Sequence, residues 1–415
     1  MPVVCCLLSC LLSTSSDVAC AGDDAVSDRT VRVLNRCLFW TAAAPRWAVV
    51  VVAVVLLVVG AAPPVAWADQ VRQAQWYLRF LEIDRVHKIT QGEGVTVAVI
   101  DTGVDADHPD LAGAVRPGAD FAILKETPPD GRVDKDGHGT AMAGLIAGRG
   151  RGGQGILGIA PKATILPIRD ADFLDSHTAY TDEAIRWAVD QGAQVISMSF
   201  GHHQPGVGLR NAIEYARRKD VVLVAAVGNK PKDPIIGYPA AYPGVIAVGG
   251  VDQQGQHAPF SVTGPEVDIT APAVSIISTR LNGSYATRNG TSSATAIVAG
   301  AAALIRAAHP NLSADEVAYR LTATATDKGP RGRDDQYGYG VLNLHAALTA
   351  DLPPMPDDYA EPLPTQAGRP TLPPPSATPP EKSNNLLGLL TIAAGVVLLL
   401  LTGTGLVIWL ILRRR

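Results

Sequence analysis

Residues 95–105 read Val-Thr-Val-Ala-Val-Ile-Asp-Thr-Gly-Val-Asp (VTVAVIDTGVD), an unbroken β-branched and apolar run closed by a carboxylate and a glycine turn. A strand apolar at every position has no face for water, so it is expected inside a parallel sheet covered on both sides. Working outward, residues 163–168, 195–200, 221–227 and 245–248 repeat the pattern and read as further strands. Residues 181–191 and 209–219 lie between them and read as helices. Residues 291–308 form a long helix of small residues, and Ser313-Ala314-Asp315-Glu316 is a capping box that opens another. The expectation is an α/β fold with a mostly parallel central sheet and helices on both faces, occupying residues 69–350. In such sheets chemistry gathers at the carboxyl ends of the strands.

Three side chains of complementary chemistry stand at turns of this kind. Asp101 closes the first strand, His138 opens a helical run within Asp136-Gly137-His138-Gly139-Thr140, and Ser292 follows Asn289-Gly290-Thr291 at the start of the long helix. A hydroxyl nucleophile needs a base to take its proton. The base in turn needs a carboxylate to fix its tautomer and stabilise the imidazolium that forms. A serine at a helix start also gains from the unpaired NH groups there, which favour developing negative charge.

With these neighbours, in the order Asp, His, Ser, the chain resembles the subtilisin-like serine peptidases (subtilases). The likeness covers residues 92–348 and includes DTGVDADHPDL from Asp101 to Leu111, Ser197-Met198-Ser199-Phe200-Gly201, Ala226-Val227-Gly228-Asn229 and Tyr337-Gly338-Tyr339-Gly340. The resemblance implies a subtilisin-like fold, Asp101 as orienting carboxylate, His138 as general base and acid, and Ser292 as nucleophile. It makes Asn229 the oxyanion donor beside the Ser292 NH, and Ser199, Phe200 and Gly201 the strand that pairs with a polypeptide substrate. Two departures stand out. Ser293-Ala294-Thr295-Ala296 replaces the usual sequence ending in proline, and Val227 occupies a position commonly held by glycine, where it is expected to narrow the specificity pocket.

The flanks carry membrane signals. Residues 47–60 are an apolar stretch of 14 after Arg46 and before Ala66-Trp67-Ala68, the layout of a secretory signal with mature start at Asp69. Residues 1–68 are therefore a leader and signal peptide, or a signal anchor that stays uncut. Residues 386–412 hold 27 residues without a charge, about 40 Å as a helix, and are expected to form a transmembrane helix. Arg413, Arg414 and Arg415 then form a cytoplasmic tail, which places the body outside the cell membrane. Within the linker of residues 351–385, positions 352–380 contain 11 prolines in 29, the composition of a semi-stiff stalk.

Only 26 residues, 69–94, precede the first strand, too few for a folded propeptide. That short lead-in, the stalk and the C-terminal span resemble the mycosins, membrane-anchored subtilases associated with type VII secretion in actinobacteria, although the body has no cysteine for the disulfides that mycosins often carry. The implied partners are a polypeptide substrate, the membrane and the type VII secretion machinery. The alternative is a docking component of a secretion complex in which proteolysis is slight or dispensable.

Other classes are excluded or set aside. A net charge of -4 offers no footprint for nucleic acid. All five cysteines precede residue 40, so neither disulfides nor thiolate metal sites hold the body together. Gly148 to Gly153 fits G-x-G-x-x-G but follows a helical stretch, and reads as a flexible surface loop. No G-x-S-x-G elbow exists, which argues against an α/β-hydrolase. His202-His203 reads as exposed loop, and no cofactor or metal is assigned. Asp105, Asp107 and Asp110 leave calcium open.

Overall fold

The computed structural model of the chain describes residues 65–122, 126–151, 153–171, 180–357 and 359. The signal segment at 47–60, most of the linker at 351–385, the span at 386–412 and the tail at 413–415 lie outside the described residues.

In chain order the elements are α1 (Val65–Ala74), α2 (Trp76–Phe80), α3 (Ile83–Val86), β1 (Thr96–Asp101), β2 (Ala119–Asp120), α4 (His138–Ala147), β3 (Arg149–Arg151), β4 (Gln154–Leu157), β5 (Thr164–Arg169), α5 (Thr181–Asp190) and β6 (Val195–Met198). There follow α6 (Val207–Arg218), β7 (Val222–Ala226), β8 (Ile246–Val251), β9 (Ile269–Pro272), β10 (Ile276–Arg280), β11 (Ser284–Arg288), α7 (Thr291–Ala308), α8 (Ala314–Ala323) and α9 (Leu344–Thr349). The central sheet has seven strands in the order β2-β5-β1-β6-β7-β8-β9, and every pairing in it is parallel.

Side chains alternate across this sheet, and each face has its own cover. Val97 and Val99 of β1, with Val222 and Val224 of β7, pack into the core shared with α4 and α7. Their neighbours Ala98, Ile100, Leu223 and Ala225 join the core shared with α5 and α6. Helix α7 belongs wholly to the first layer. Among the described residues it is the helix long and apolar enough to cross a membrane, yet 89% of it is buried in the body. Its alanines, with Gly300 set against Ile159, let the helix approach the sheet closely. Ala296, in place of the usual proline, is buried mid-helix without interrupting it.

One segment differs from expectation. Residues 148–153, expected as a flexible loop, contain strand β3 at 149–151, which pairs with β4 in an antiparallel hairpin of irregular register. Gly150 takes the left-handed conformation at the register irregularity within β3 and Gly153 does so at the turn, and the Arg72 guanidinium donates to the Gln154 and Gly155 carbonyls. The lead-in at 69–94 is equally structured. Gln75 both donates to the Leu157 carbonyl and accepts from the Leu157 NH, the Trp76 indole donates to the Val274 carbonyl, and the Tyr77 hydroxyl donates to the Ile277 carbonyl. Gln75 thus pins this segment to β4 and the buried Tyr77 pins it to β10, with Trp76 tied to the chain just before β10. Serine 313 caps α8 in the expected capping box with Glu316, a device that stabilises a helix by about 1 kcal/mol.

Candidate active site

Asp101 is the last residue of β1, and the turn beyond it brings the chain back toward the start of α4. Gly137, at φ 89°, supplies the left-handed residue that lets α4 begin at His138. Gly139 packs so closely on the turn after β1 that a Cβ would lie 2.1 Å from the Gly103 carbonyl oxygen. These constraints set the imidazole against the carboxylate. His138 Nδ1 lies 2.8 Å and 2.9 Å from the two Asp101 oxygens, with both residues almost fully buried. The Thr102 NH donates to Asp101 Oδ1 at 2.8 Å and helps hold the carboxylate in place.

Burial by itself would lower the His138 pKa. The charge of Asp101 and its hydrogen bond outweigh that, with Asp136 adding to them and Arg288 opposing, so the imidazole titrates above its ordinary 6.5. A ring with Nδ1–H committed to a carboxylate presents Nε2 as the proton acceptor.

Sequence reasoning missed Asp134. This buried carboxylate accepts the Thr102 hydroxyl at 2.9 Å and the NH groups of Asp136 and Gly137 on one oxygen, and the NH and hydroxyl of Thr140 on the other. Thr102 Oγ1 in turn accepts the Gly139 NH. Asp134 therefore welds the start of α4 to the end of β1. Burial pushes its carboxyl pKa up, with the hydrogen bonds from Thr140 and Gly137 opposing that shift. The available signal was an acidic residue just ahead of a helix start.

Ser292 is the second residue of α7 and is half-buried. Its hydroxyl donates to the Ser199 carbonyl at 3.2 Å, and the Ser199 hydroxyl donates back to the Ser292 carbonyl at 3.2 Å. Asp101 and His138 are thus joined to each other, while the Ser292 hydroxyl rests on Ser199 instead of on His138. Asn229, just past β7, accepts the Thr291 NH at 2.9 Å through Oδ1. Its amide NH2 and the Ser292 NH have no hydrogen-bond partner among the described residues, which leaves two donors at the helix start. The Asn229 main chain is fixed by Asp233, whose carboxylate accepts its NH at 2.7 Å.

Beyond β6, Ser199 and Phe200 are buried and Gly201 is exposed, so the chain reaches the surface where an added strand has access. The sequence expectation of a strand to residue 200 is shortened to Met198, because Ser199 leaves the ladder to bond Ser292. Val227 has no exposed surface and packs in the core with α5 and α6, contrary to the expectation that it narrows a pocket. His202, expected as exposed loop, is half-buried. Its backbone pairs both ways with Tyr238, and its ring meets Phe200 edge-on at 5.6 Å.

No group of three or more metal-ligating side chains occurs among the described residues. Of the three aspartates that left calcium open, Asp110 accepts the Ile156 NH and the Tyr285 hydroxyl, and Asp105 accepts the Asn282 NH.

A parallel sheet with this strand order, an imidazole–carboxylate pair at one strand end and a serine at a buried helix start define the subtilisin-like serine peptidase class. The chain belongs to the subtilase family, whose model matches residues 92–340. It is 42% identical to subtilisin E of Bacillus subtilis (strain 168) over 260 residues, which are 62% of this chain and 66% of that protein. Solved structures of MycP1 are similar as well. MycP1 from Mycobacterium smegmatis is 30% identical at TM-score 0.60, covering 68% of this chain and 86% of the other. A MycP1 described as an essential component of the type VII (ESX-1) secretion system is 34% identical at TM-score 0.60, covering 66% and 88%.

Proposed function

We propose that this chain is a membrane-anchored, extracytoplasmic serine endopeptidase that cleaves polypeptides through an acyl-enzyme intermediate. The observation that supports it most directly is the buried Asp101–His138 pair, set on the same rim as a helix start that offers Ser292 and two unused donors. In this reading the Ser292 hydroxyl leaves the Ser199 carbonyl for His138 Nε2 when substrate binds, a change of the kind that occurs where resting hydrogen bonds are loose. Ser292 Oγ then attacks the scissile carbonyl as His138 takes its proton, and Asp101 stabilises the imidazolium. The negative oxygen formed accepts from the Asn229 amide and the Ser292 NH. His138 passes the proton to the leaving amine, and water releases the acyl group by the same steps in reverse. Residues 199–201 hold the acyl side of the substrate as an added strand.

Likeness to MycP1 supports a role in type VII secretion, and the apolar stretches at 47–60 and 386–412 support the membrane anchor and the outward-facing body. A docking role with dispensable proteolysis draws on one observation, the Ser292 hydroxyl bonded to Ser199. A fluorophosphonate probe on the purified full-length chain separates the two. Labelling that disappears in Ser292→Ala carries the peptidase reading, whereas a folded wild type that takes no label carries the docking one. Deleting residues 386–415 is expected to release the protein from alkaline-washed membranes; a deleted chain that stays in the membrane removes the C-terminal anchor from the proposal.

A further inference from the structure

Arg288 stands on the catalytic rim without a structural task. It is the last residue of β11, paired in register with Ile276 and four positions ahead of Ser292. Its half-buried side chain makes no hydrogen bond or ion pair among the described residues. Its charge is nevertheless felt at His138, where it works against protonation of the imidazole. In a peptidase that is an awkward place for a lone cation, because the imidazolium forming during attack is repelled by it. A carboxylate supplied by the substrate would remove the repulsion at the moment of reaction and would satisfy the guanidinium.

The surroundings say where that carboxylate comes from. Ser199 and Ser292 are tied together by two hydrogen bonds, which puts the acyl-side strand, residues 199–201, along one wall of the cleft. Arg288 enters from the β10–β11 hairpin, which is fastened to the first turns of α4 through Thr279 Oγ1 to the Thr140 carbonyl and Ser278 Oγ to the Ala141 carbonyl. His138 belongs to that wall, and His138 is the group that protonates the leaving amine. The leaving-group half of the substrate therefore lies toward Arg288. Arg280, the exposed last residue of β10, packs beside Gly137 and adds a second cation to the same wall. Of the nearby carboxylates, Asp101 is committed to His138, and Asp136 makes no ion pair with either arginine among the described residues.

We propose that Arg288 is a specificity-determining residue that selects polypeptides with Asp or Glu at the first or second position after the cleaved bond. This rests on the peptidase reading above. The guanidinium offers two parallel donors to a carboxylate and none to an amide of the same shape with equal strength, so charge and not size is what it reads.

Internally quenched peptides that differ only in Glu or Gln at those two positions, in any sequence the purified full-length chain cleaves, provide the test. The ratio of kcat/KM for Glu over Gln is expected at about five- to tenfold at low salt, smaller at high salt. Arg288→Lys keeps part of the ratio, Arg288→Gln brings it to about one, and Arg288→Glu inverts it. In Arg288→Gln the acid limb of the pH profile for the Gln peptide also moves to higher pH, since a charge opposing the His138 proton is gone. An equal ratio in wild type and Arg288→Gln, with fluorophosphonate labelling of Ser292 intact, overturns this inference and leaves the peptidase reading standing. A chain that neither labels nor cleaves overturns both.

Discussion

Helices α4 and α7 both start directly after a glycine on the rim where the strands end, but the NH groups at their starts meet different fates. At α4 the NH groups of Gly137 and Thr140 are taken by Asp134, and that of Gly139 by the Thr102 hydroxyl. At α7 the Thr291 NH is taken by Asn229 Oδ1, while the Ser292 NH and the Asn229 amide have no hydrogen-bond partner among the described residues. Carboxylate and hydroxyl acceptors at the start of α4 hold a base rigidly; the amide and NH donors at the start of α7 are placed for a charge that appears only during reaction. The two residues that finish these helices, Asp134 and Asn229, should therefore fail in different ways when changed.

The largest effect tests the pair that the start of α4 positions. Asp101→Asn is expected to lower kcat by about 10⁴-fold, the scale known for triads of this kind. It also shifts the pH profile in a calculable direction. In the wild type, activity falls as pH drops through a His138 pKa held above 6.5; without the Asp101 charge, burial and Arg288 outweigh Asp136 and the acid limb moves to lower pH. An acid limb that stays in place would show that Asp101 does not set the imidazole's titration. Linkage gives the matching stability trend: the raised native pKa of His138 adds stability that is fully present below about pH 6.5 and is lost as pH climbs through the native pKa.

Next comes Asn229→Asp, which keeps an oxygen for the Thr291 NH but removes the amide donor. Turnover is expected to fall by at least about 10²- to 10³-fold, the scale known for a subtilisin oxyanion donor, with the melting temperature little moved. A large stability loss with turnover preserved would make Asn229 a mere cap and erase the contrast with Asp134. Asp134→Asn is the converse. It exchanges an acceptor of the Thr140 NH for a donor, and unfolding experiments should register a loss of about 1–3 kcal/mol. KM is expected to stay within about twofold, because Asp134 meets no substrate.

The smallest effect lies on the opposite rim, where the strands begin. There Asp268 borders a cavity of about 400 Å³, accepts the Ala247 NH, and has Arg333 at 3.5 Å. Burial pushes its pKa up to about 6. A carboxyl raised this way is penalised as pH rises, so the native state loses stability between about pH 4 and 6 and stays penalised above. Asp268→Asn should thus stabilise the protein at pH 8 by on the order of 1 kcal/mol, and not at all below about pH 4. Equal unfolding midpoints of the two proteins at pH 8 would refute that penalty.

How legible the molecule was depended on the range of the signal. The strands read at 95–100, 163–168 and 221–227 are found within a residue or so, because a continuous β-branched run is local and strong. Helix α7 starts at Thr291 and ends at Ala308 as its small-residue run suggests. Strand β9 escaped notice, being four residues that end in Pro272 and pair with β8 and, at Thr270, with Val341, both set beside it only by the fold. The hairpin at 149–157 looked like loop because its two arginines and four glycines have no strand pattern; its order comes in part from Arg72, about eighty positions earlier. Asp134 was invisible for a related reason. A carboxylate two residues before Asp136 reads as solvated until Thr102 and Thr140 are seen to surround it.

By itself the sequence determined which chemical groups this protein has to work with, and roughly where strands and helices carry them. An aspartate closing a strand, a histidine and a serine opening helices, and apolar flanks outside the body are all properties of contiguous residues, set by side-chain chemistry and backbone propensity. Tertiary structure alone decided that Asp101 meets His138 across 37 positions, that Asn229 spends its oxygen on Thr291 and keeps its nitrogen, and that the Ser292 hydroxyl rests on Ser199. Those outcomes depend on angles and distances fixed by packing between elements far apart in the chain, where a hydrogen bond is made or lost within a few tenths of an ångström.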